Sequence, residues 1–234
     1  MPDELSTDVG HHFEEEWRNY DDQIRRAIPF YDEALQLLVA VLARTAGTPR
    51  QILDLGVGTG NLAGLLLRAF PEARLVGIDI VPEFLEIAQR RLFAFRDRVE
   101  LIDADIASYE FPNDLDVVVT AFVLHHTEDA TKRRIYERIH AALRIGGCMA
   151  NADFVDSASP LCSRVFDDLR VAFMRQSGLT KERIRIEHFE HRKLERPTPI
   201  ETQVDWLRNI GFADVECYWK YLNLAIFGCH KPPA

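Results

Sequence analysis

The stretch Ile52-Leu-Asp-Leu-Gly-Val-Gly-Thr-Gly60 decides the fold. The run Gln51 to Leu55 has the length and apolar character of a strand buried on both faces. It leads straight into three alternating glycines, and a helical pattern, Leu62 to Phe70, follows. Glycines at such a turn let the backbone bend tightly and let a ligand approach with no Cβ in the way.

Working outward, four more short apolar runs read as parallel strands: Arg74 to Asp79, Val99 to Ile102, Asp116 to Thr120 and Cys148 to Val155. Helical patterns separate them. Pro82 to Phe93 aligns Leu85, Ala88 and Leu92, and Lys132 to Leu143 aligns Ile135, Ile139 and Ala142 before Gly146-Gly147 closes it. A last helix opens at Thr198-Pro-Ile-Glu201 with a capping-box spacing and ends at Gly211. Asp214 to Trp219 and Leu222 to His230 then read as a hairpin at the sheet's edge. The rhythm predicts an α/β fold with a doubly wound, mostly parallel seven-stranded sheet. Phe13 to Ala43 and Ser159 to Arg196, the latter with Leu161, Val165, Leu169 and Phe173 at helical spacing, stand outside this scheme. In open α/β sheets ligands bind beyond the carboxyl ends of the strands, so residues 13–45 are expected to form a helical lid and residues 157–197 a helical cap on one domain spanning 1–234.

The 234 residues are 47% apolar, which excludes a disordered or fibrous chain. A net charge of −9 disfavours non-specific nucleic-acid binding. Residues 164–196 run against that trend, with nine Lys and Arg to six Asp and Glu, and offer a docking surface for an anionic partner such as RNA. The four cysteines form no C-x-x-C pair, there is no signal-like start, and the run Leu35 to Ala43 is too short to span a bilayer, so a cytoplasmic protein is expected.

Two nucleosides suit the glycine loop. Gly58-Thr-Gly60-Asn-Leu-Ala63 fits the dinucleotide pattern G-x-G-x-x-A, and Asp79, at the end of the next strand, suits an adenosine ribose in either case. Asp54 separates them: a carboxylate beside the loop repels a pyrophosphate but suits a cationic ligand. S-adenosylmethionine carries a sulfonium and an ammonium and no phosphate.

Residues 52–60 resemble the first motif, h-h-D-h-G-x-G-x-G, of the class I S-adenosylmethionine-dependent methyltransferases, and the likeness extends over nearly the whole chain to the terminal hairpin. It implies that Gly56, Val57, Gly58 and Gly60 line the methionine portion, beside the Asp54 carboxylate already assigned to a cationic cofactor, that Asp79 takes the ribose hydroxyls, and that Ile80 packs on adenine. Asp105 and Ile106 would read the adenine edge, while Ala121 and Phe122 would lie beneath the sulfonium. Tyr20 to Tyr31, and Ser177 through Gly211 to Trp219, resemble the carboxy-S-adenosylmethionine synthases most, a group in which the tyrosine matching Tyr31 touches the cofactor. Those enzymes carry an arginine for the extra carboxylate of their product. Aligned without gaps, His188 takes its place here, which argues against that product and makes His188, with Tyr20, a substrate-side candidate.

Methyl transfer needs alignment and a dry site, and it needs a base only where the nucleophile holds a proton. His125 and His126, just past the fourth strand, are the candidates for proton transfer, one of them at most facing the ligand. His188 and His191 share a helix face with Glu187, but no further ligand completes a metal set, so no metal is expected and the two read as surface histidines. The expected activity is methylation of a small-molecule acceptor with S-adenosylhomocysteine as product. A carboxy-S-adenosylmethionine synthase and an RNA-modifying relative are the alternatives, and a homodimer is compatible with the sequence.

Overall fold

The computed structural model describes residues 20–233. Seven strands make one sheet: β1 (Gln51–Leu55), β2 (Arg74–Asp79), β3 (Val99–Asp103), β4 (Leu115–Ala121), β5 (Leu143–Phe154), β6 (Ala213–Tyr221) and β7 (Leu224–His230). Their order is β3-β2-β1-β4-β5-β7-β6. β1 to β5 pair in parallel, whereas β7 runs antiparallel to both β5 and β6, so the sheet is mixed. The expected hairpin is present, with β7 inserted and β6 at the edge.

Among the described residues, two helices precede the sheet, α1 (Tyr20–Ala27) and α2 (Tyr31–Thr45). The crossovers are α3 (Asn61–Ala69), α4 (Pro82–Arg91) and α5 (Asp129–Ala142). After β5 come α6 (Pro160–Gln176), the short α7 (Lys181–Arg185) and α8 (Ile200–Ile210). Alternate residues of each central strand feed opposite cores. Ile52, Val117 and Val119 meet Leu35, Leu38 and Leu42 of α2 and Leu66 of α3. Leu53, Leu55 and Val118 meet Ile135 and Ile139 of α5 and Leu207 of α8. Burial on both faces explains why these strands read as continuous apolar runs.

Several boundaries differ from expectation. The N-terminal helical stretch is interrupted at Phe30, whose backbone is left-handed (φ 58°); Phe13 and Trp17 lie outside the described residues. Gly146-Gly147 does not close a helix, because α5 ends at Ala142 and Leu143 to Gly147 is already strand, paired across an irregularity with β4. Thr198 forms no capping box: α8 starts after Pro199, and the Thr198 hydroxyl instead donates to Asp129 Oδ1 at 2.5 Å and accepts from Lys132 Nζ at 2.6 Å. On α6, Leu161, Val165 and Leu169 face solvent, and the buried positions are Arg170 and Met174. His188 and His191 are buried, not surface, residues, and among the described residues no group of three side chains is arranged to hold a metal.

Candidate active site

Strand order reverses between β1 and β4, and a cavity lies beyond the carboxyl ends of these strands, where an open α/β sheet binds its ligands. The glycine loop forms its floor. Gly56 and Val57 both donate to Ile78 O at 2.8 Å, which locks the loop against β2. Gly56 adopts φ 76°, and a Cβ there would stand 2.2 Å from the Val123 side chain, so only glycine is accommodated. A Cβ on Gly58 would meet nothing within 4 Å, leaving that backbone open to a ligand.

Two carboxyls sit side by side on this floor. Asp79 Oδ2 accepts from Gly58 N at 2.7 Å and Oδ1 from Val81 N at 3.0 Å. Burial nonetheless pushes its pKa up to about 6, against the lowering effect of those bonds. Asp54 is raised further, to about 8, by burial and by the Asp79 charge, and its Oδ2 has no hydrogen-bond partner among the described residues. A bound cation would relieve both effects. Asp105 Oδ1 is held by Ala107 N at 2.8 Å, while Oδ2 is buried and free to accept, as an adenine amino group requires.

The aromatic wall is built by Tyr31 stacked on Phe122 at 5.4 Å and by Tyr20 tilted against Phe84 at 4.7 Å. Burial lifts the Tyr31 hydroxyl to about 12, so both tyrosines act as neutral hydrogen-bonding groups at ordinary pH. The helix that carries Tyr20 is fastened to the loop by Asp21, which accepts from Thr59 Oγ1 at 2.6 Å and Asn61 Nδ2 at 3.0 Å and pairs with Arg91.

At the far end, His125 Nδ1 lies 2.5 Å from Asp153 Oδ1, with His125 N donating to the other carboxylate oxygen at 3.1 Å. A carboxylate can only accept, so Nδ1 carries the proton of this bond and Nε2 is the ring nitrogen left for a ligand. His126 lies against the same ring, 3.9 Å between centroids. Behind these, Arg183 donates to Glu187 at 2.5 Å and His191 Nδ1 to the same carboxylate at 3.1 Å.

Of the residues singled out in the sequence, Tyr20, Tyr31, Asp54, Gly56, Val57, Gly58, Asp79, Ile80, Asp105, Ile106, Ala121, Phe122, His125 and His126 all line this cavity. Gly60 stands behind it as the N-terminal cap of α3, and His188 is buried outside the wall, where His191 is present instead. The Asp21 latch, Asp153, Arg170 and Glu195 were not foreseen. Asp153 was readable in principle, since parallel pairing sets Ala152 beside Ala121 and brings the ends of β4 and β5 together.

Residues 52–147 match the model of a methyltransferase domain. The chain is similar to the carboxy-S-adenosyl-L-methionine synthase of Nautilia profundicola, with 23% identity over 212 residues that cover 91% of this chain and 90% of that one. The corresponding enzyme of Helicobacter hepaticus is 25% identical over 209 residues, 87% of each chain. Among solved structures, the magnesium protoporphyrin IX methyltransferase of Synechocystis PCC 6803 with bound SAM superposes with a TM-score of 0.66 at 15% identity over 97% of both chains. A putative O-methyltransferase of Nostoc punctiforme PCC 73102 gives 0.64 at 18% identity, over 86% of this chain and 56% of that one.

The domain match and the fold agree: residues 52–147 carry a methyltransferase domain, in a fold shared with solved methyltransferase structures. The chain carries such a methyltransferase domain and is an enzyme of the methyltransferase class.

Proposed function

We propose that the enzyme transfers the methyl group of S-adenosylmethionine to a small-molecule acceptor lying between Phe122, His125 and the wall contributed by α6 to His191. The observation that carries this reading is the continuity of one cavity from Asp79, Asp105 and the glycine loop to His125, His126 and Arg170. Cofactor and acceptor would thus share one apolar-walled site, which supports alignment and exclusion of water. On this reading residues 1–234 act as one catalytic unit, with α1 and α2 as lid and residues 157–197 as cap. His125, oriented by Asp153, takes the acceptor's proton where there is one.

The basic run 164–196 favours a small molecule over RNA. Arg183 pairs with Glu187, Arg185 with Glu182 and Glu190, Arg192 with Asp167, Lys193 with Glu190 and Arg196 with Glu128, so much of its charge is already compensated. Among the described residues no helix is long and apolar enough to cross a membrane, in keeping with a cytoplasmic enzyme.

A second reading, synthesis of carboxy-S-adenosylmethionine, is favoured by relatives of that name that match over 91% of the chain. Mass spectrometry after incubation with S-adenosylmethionine and prephenate separates the two. Unaltered cofactor supports the first reading, and a cofactor heavier by one carboxyl group replaces it with the second.

A further inference from the structure

Arg170 is 4% exposed in the middle of α6, yet it lines the cavity. Its guanidinium lies over the Phe154 ring, 4.2 Å from the centroid, and that ring meets His125 edge to face at 5.0 Å. A permanent cation therefore stands in the wall next to the His125–Asp153 pair. Its Nε and Nη1 have no hydrogen-bond partner among the described residues. The carboxylate paired with it, Glu195 Oε1, is 3.8 Å from Nη1, too far for a hydrogen bond.

Buried polar groups are ordinarily satisfied, and a buried guanidinium with open donors is costly. Nearby, Arg183 and His191 each hydrogen-bond the Glu187 carboxylate, whereas Nε and Nη1 of Arg170 have no such bond. The cation–π contact with Phe154 satisfies none of the N–H donors, so Nε and Nη1 are left for a ligand. A guanidinium's planar set of donors matches a carboxylate. Glu187 and Glu195 also line the cavity, so a single negative charge is tolerated there while a phosphate dianion meets stronger repulsion.

We infer that the methyl acceptor carries a carboxylate group, which Arg170 binds through its open N–H donors and so sets the acceptor's nucleophile against His125. This deepens the proposed function and rests on it. Arg170 is thereby a specificity-determining residue of the acceptor site and has no part in holding the cofactor.

The test is calorimetric titration of the S-adenosylhomocysteine complex with acetate, benzoate and inorganic phosphate at constant ionic strength. Wild-type protein is compared with Arg170→Lys, Arg170→Gln and the double variant Arg170→Met with Glu195→Gln. The double variant removes both buried charges and guards against misfolding around an unpaired glutamate. Acetate and benzoate should bind the wild type and phosphate should not. Benzoate affinity should fall about 10- to 100-fold in Arg170→Gln and in the double variant, and less in Arg170→Lys, with S-adenosylhomocysteine affinity unchanged throughout. The inference is overturned if neither carboxylate binds the wild type, if benzoate binds the variants as well as the wild type, or if phosphate binds more tightly than the carboxylates. A parallel loss of S-adenosylhomocysteine affinity also overturns it, because Arg170 would then serve the cofactor's own carboxylate. Wild-type protein that fails to bind S-adenosylhomocysteine at all contradicts the underlying methyltransferase reading.

Discussion

Nδ1 of His125 and Oδ1 of Asp153 are 2.5 Å apart, and both side chains are almost wholly shielded from solvent. The histidine follows β4 and the aspartate lies near the end of β5, so neighbouring parallel strands deliver an imidazole and the carboxylate that orients it.

This pairing predicts a graded loss of activity on an acceptor that must lose a proton. His125→Ala should lower kcat by about 10²- to 10⁴-fold. Asp153→Asn should also lower kcat, because an amide does not enforce the Nδ1–H tautomer. S-adenosylhomocysteine affinity should stay within error of wild type in both variants. Full activity in His125→Ala would remove the histidine from the chemistry.

The raised pKa of Asp54, about 8 against an ordinary 3.8, links cofactor binding to pH. Between those values the native protein holds a proton that the unfolded chain releases, so the stability of the free enzyme should fall as pH rises through this range. Affinity for the ammonium-bearing S-adenosylhomocysteine should change in the opposite direction, rising from pH 6 toward pH 8 as the Asp54 carboxylate becomes available, with protons released on binding. Melting temperatures and calorimetry in buffers of different ionisation enthalpy give both slopes. Asp54→Asn should flatten them and weaken the ligand, and an identical pH dependence in that variant would remove Asp54 from the linkage.

Asp21 ties α1 to Thr59, Asn61 and Arg91 of the ligand-binding layer, and α2 presents Tyr31 to the same cavity. Bound cofactor should therefore slow hydrogen exchange across Tyr20–Ala27 and the first turns of Tyr31–Thr45. In Asp21→Ala that protection should shrink and S-adenosylhomocysteine affinity should drop by a few-fold. Exchange that is the same with and without ligand would refute a lid.

Much of this was legible in the amino-acid order because the informative parts are local. The fit of Gln51 to Leu55 and Arg74 to Asp79 to their strands follows from burial on both faces, and the glycine loop from positive φ at Gly56, Gly58 and Gly60. What escaped depends on contacts between distant segments. Thr198 abandons its helix cap because the buried Lys132 and the exposed Asp129, both remote in sequence, offer its hydroxyl partners. The apolar stripe of α6 pointed to the wrong face, because the chain spends the buried face on Arg170, a choice that hydrophobic periodicity cannot register. Likewise His191 reaches the cavity where His188 does not, since the segment Ile186–Glu190 is wound more loosely than an α-helix and shifts the phase of the residues after it.

The central claim is that this cavity binds S-adenosylmethionine through Asp79 and the glycine loop, and one calorimetric comparison tests it most directly. Wild-type protein is titrated with S-adenosylhomocysteine and with NAD, and Asp79→Ala with S-adenosylhomocysteine. The account predicts saturable binding of S-adenosylhomocysteine, none of NAD, and a loss of about 10- to 100-fold in the variant, the value of two charge-assisted hydrogen bonds to the ribose. NAD binding as tightly as S-adenosylhomocysteine, or an Asp79→Ala protein with wild-type affinity, would contradict it.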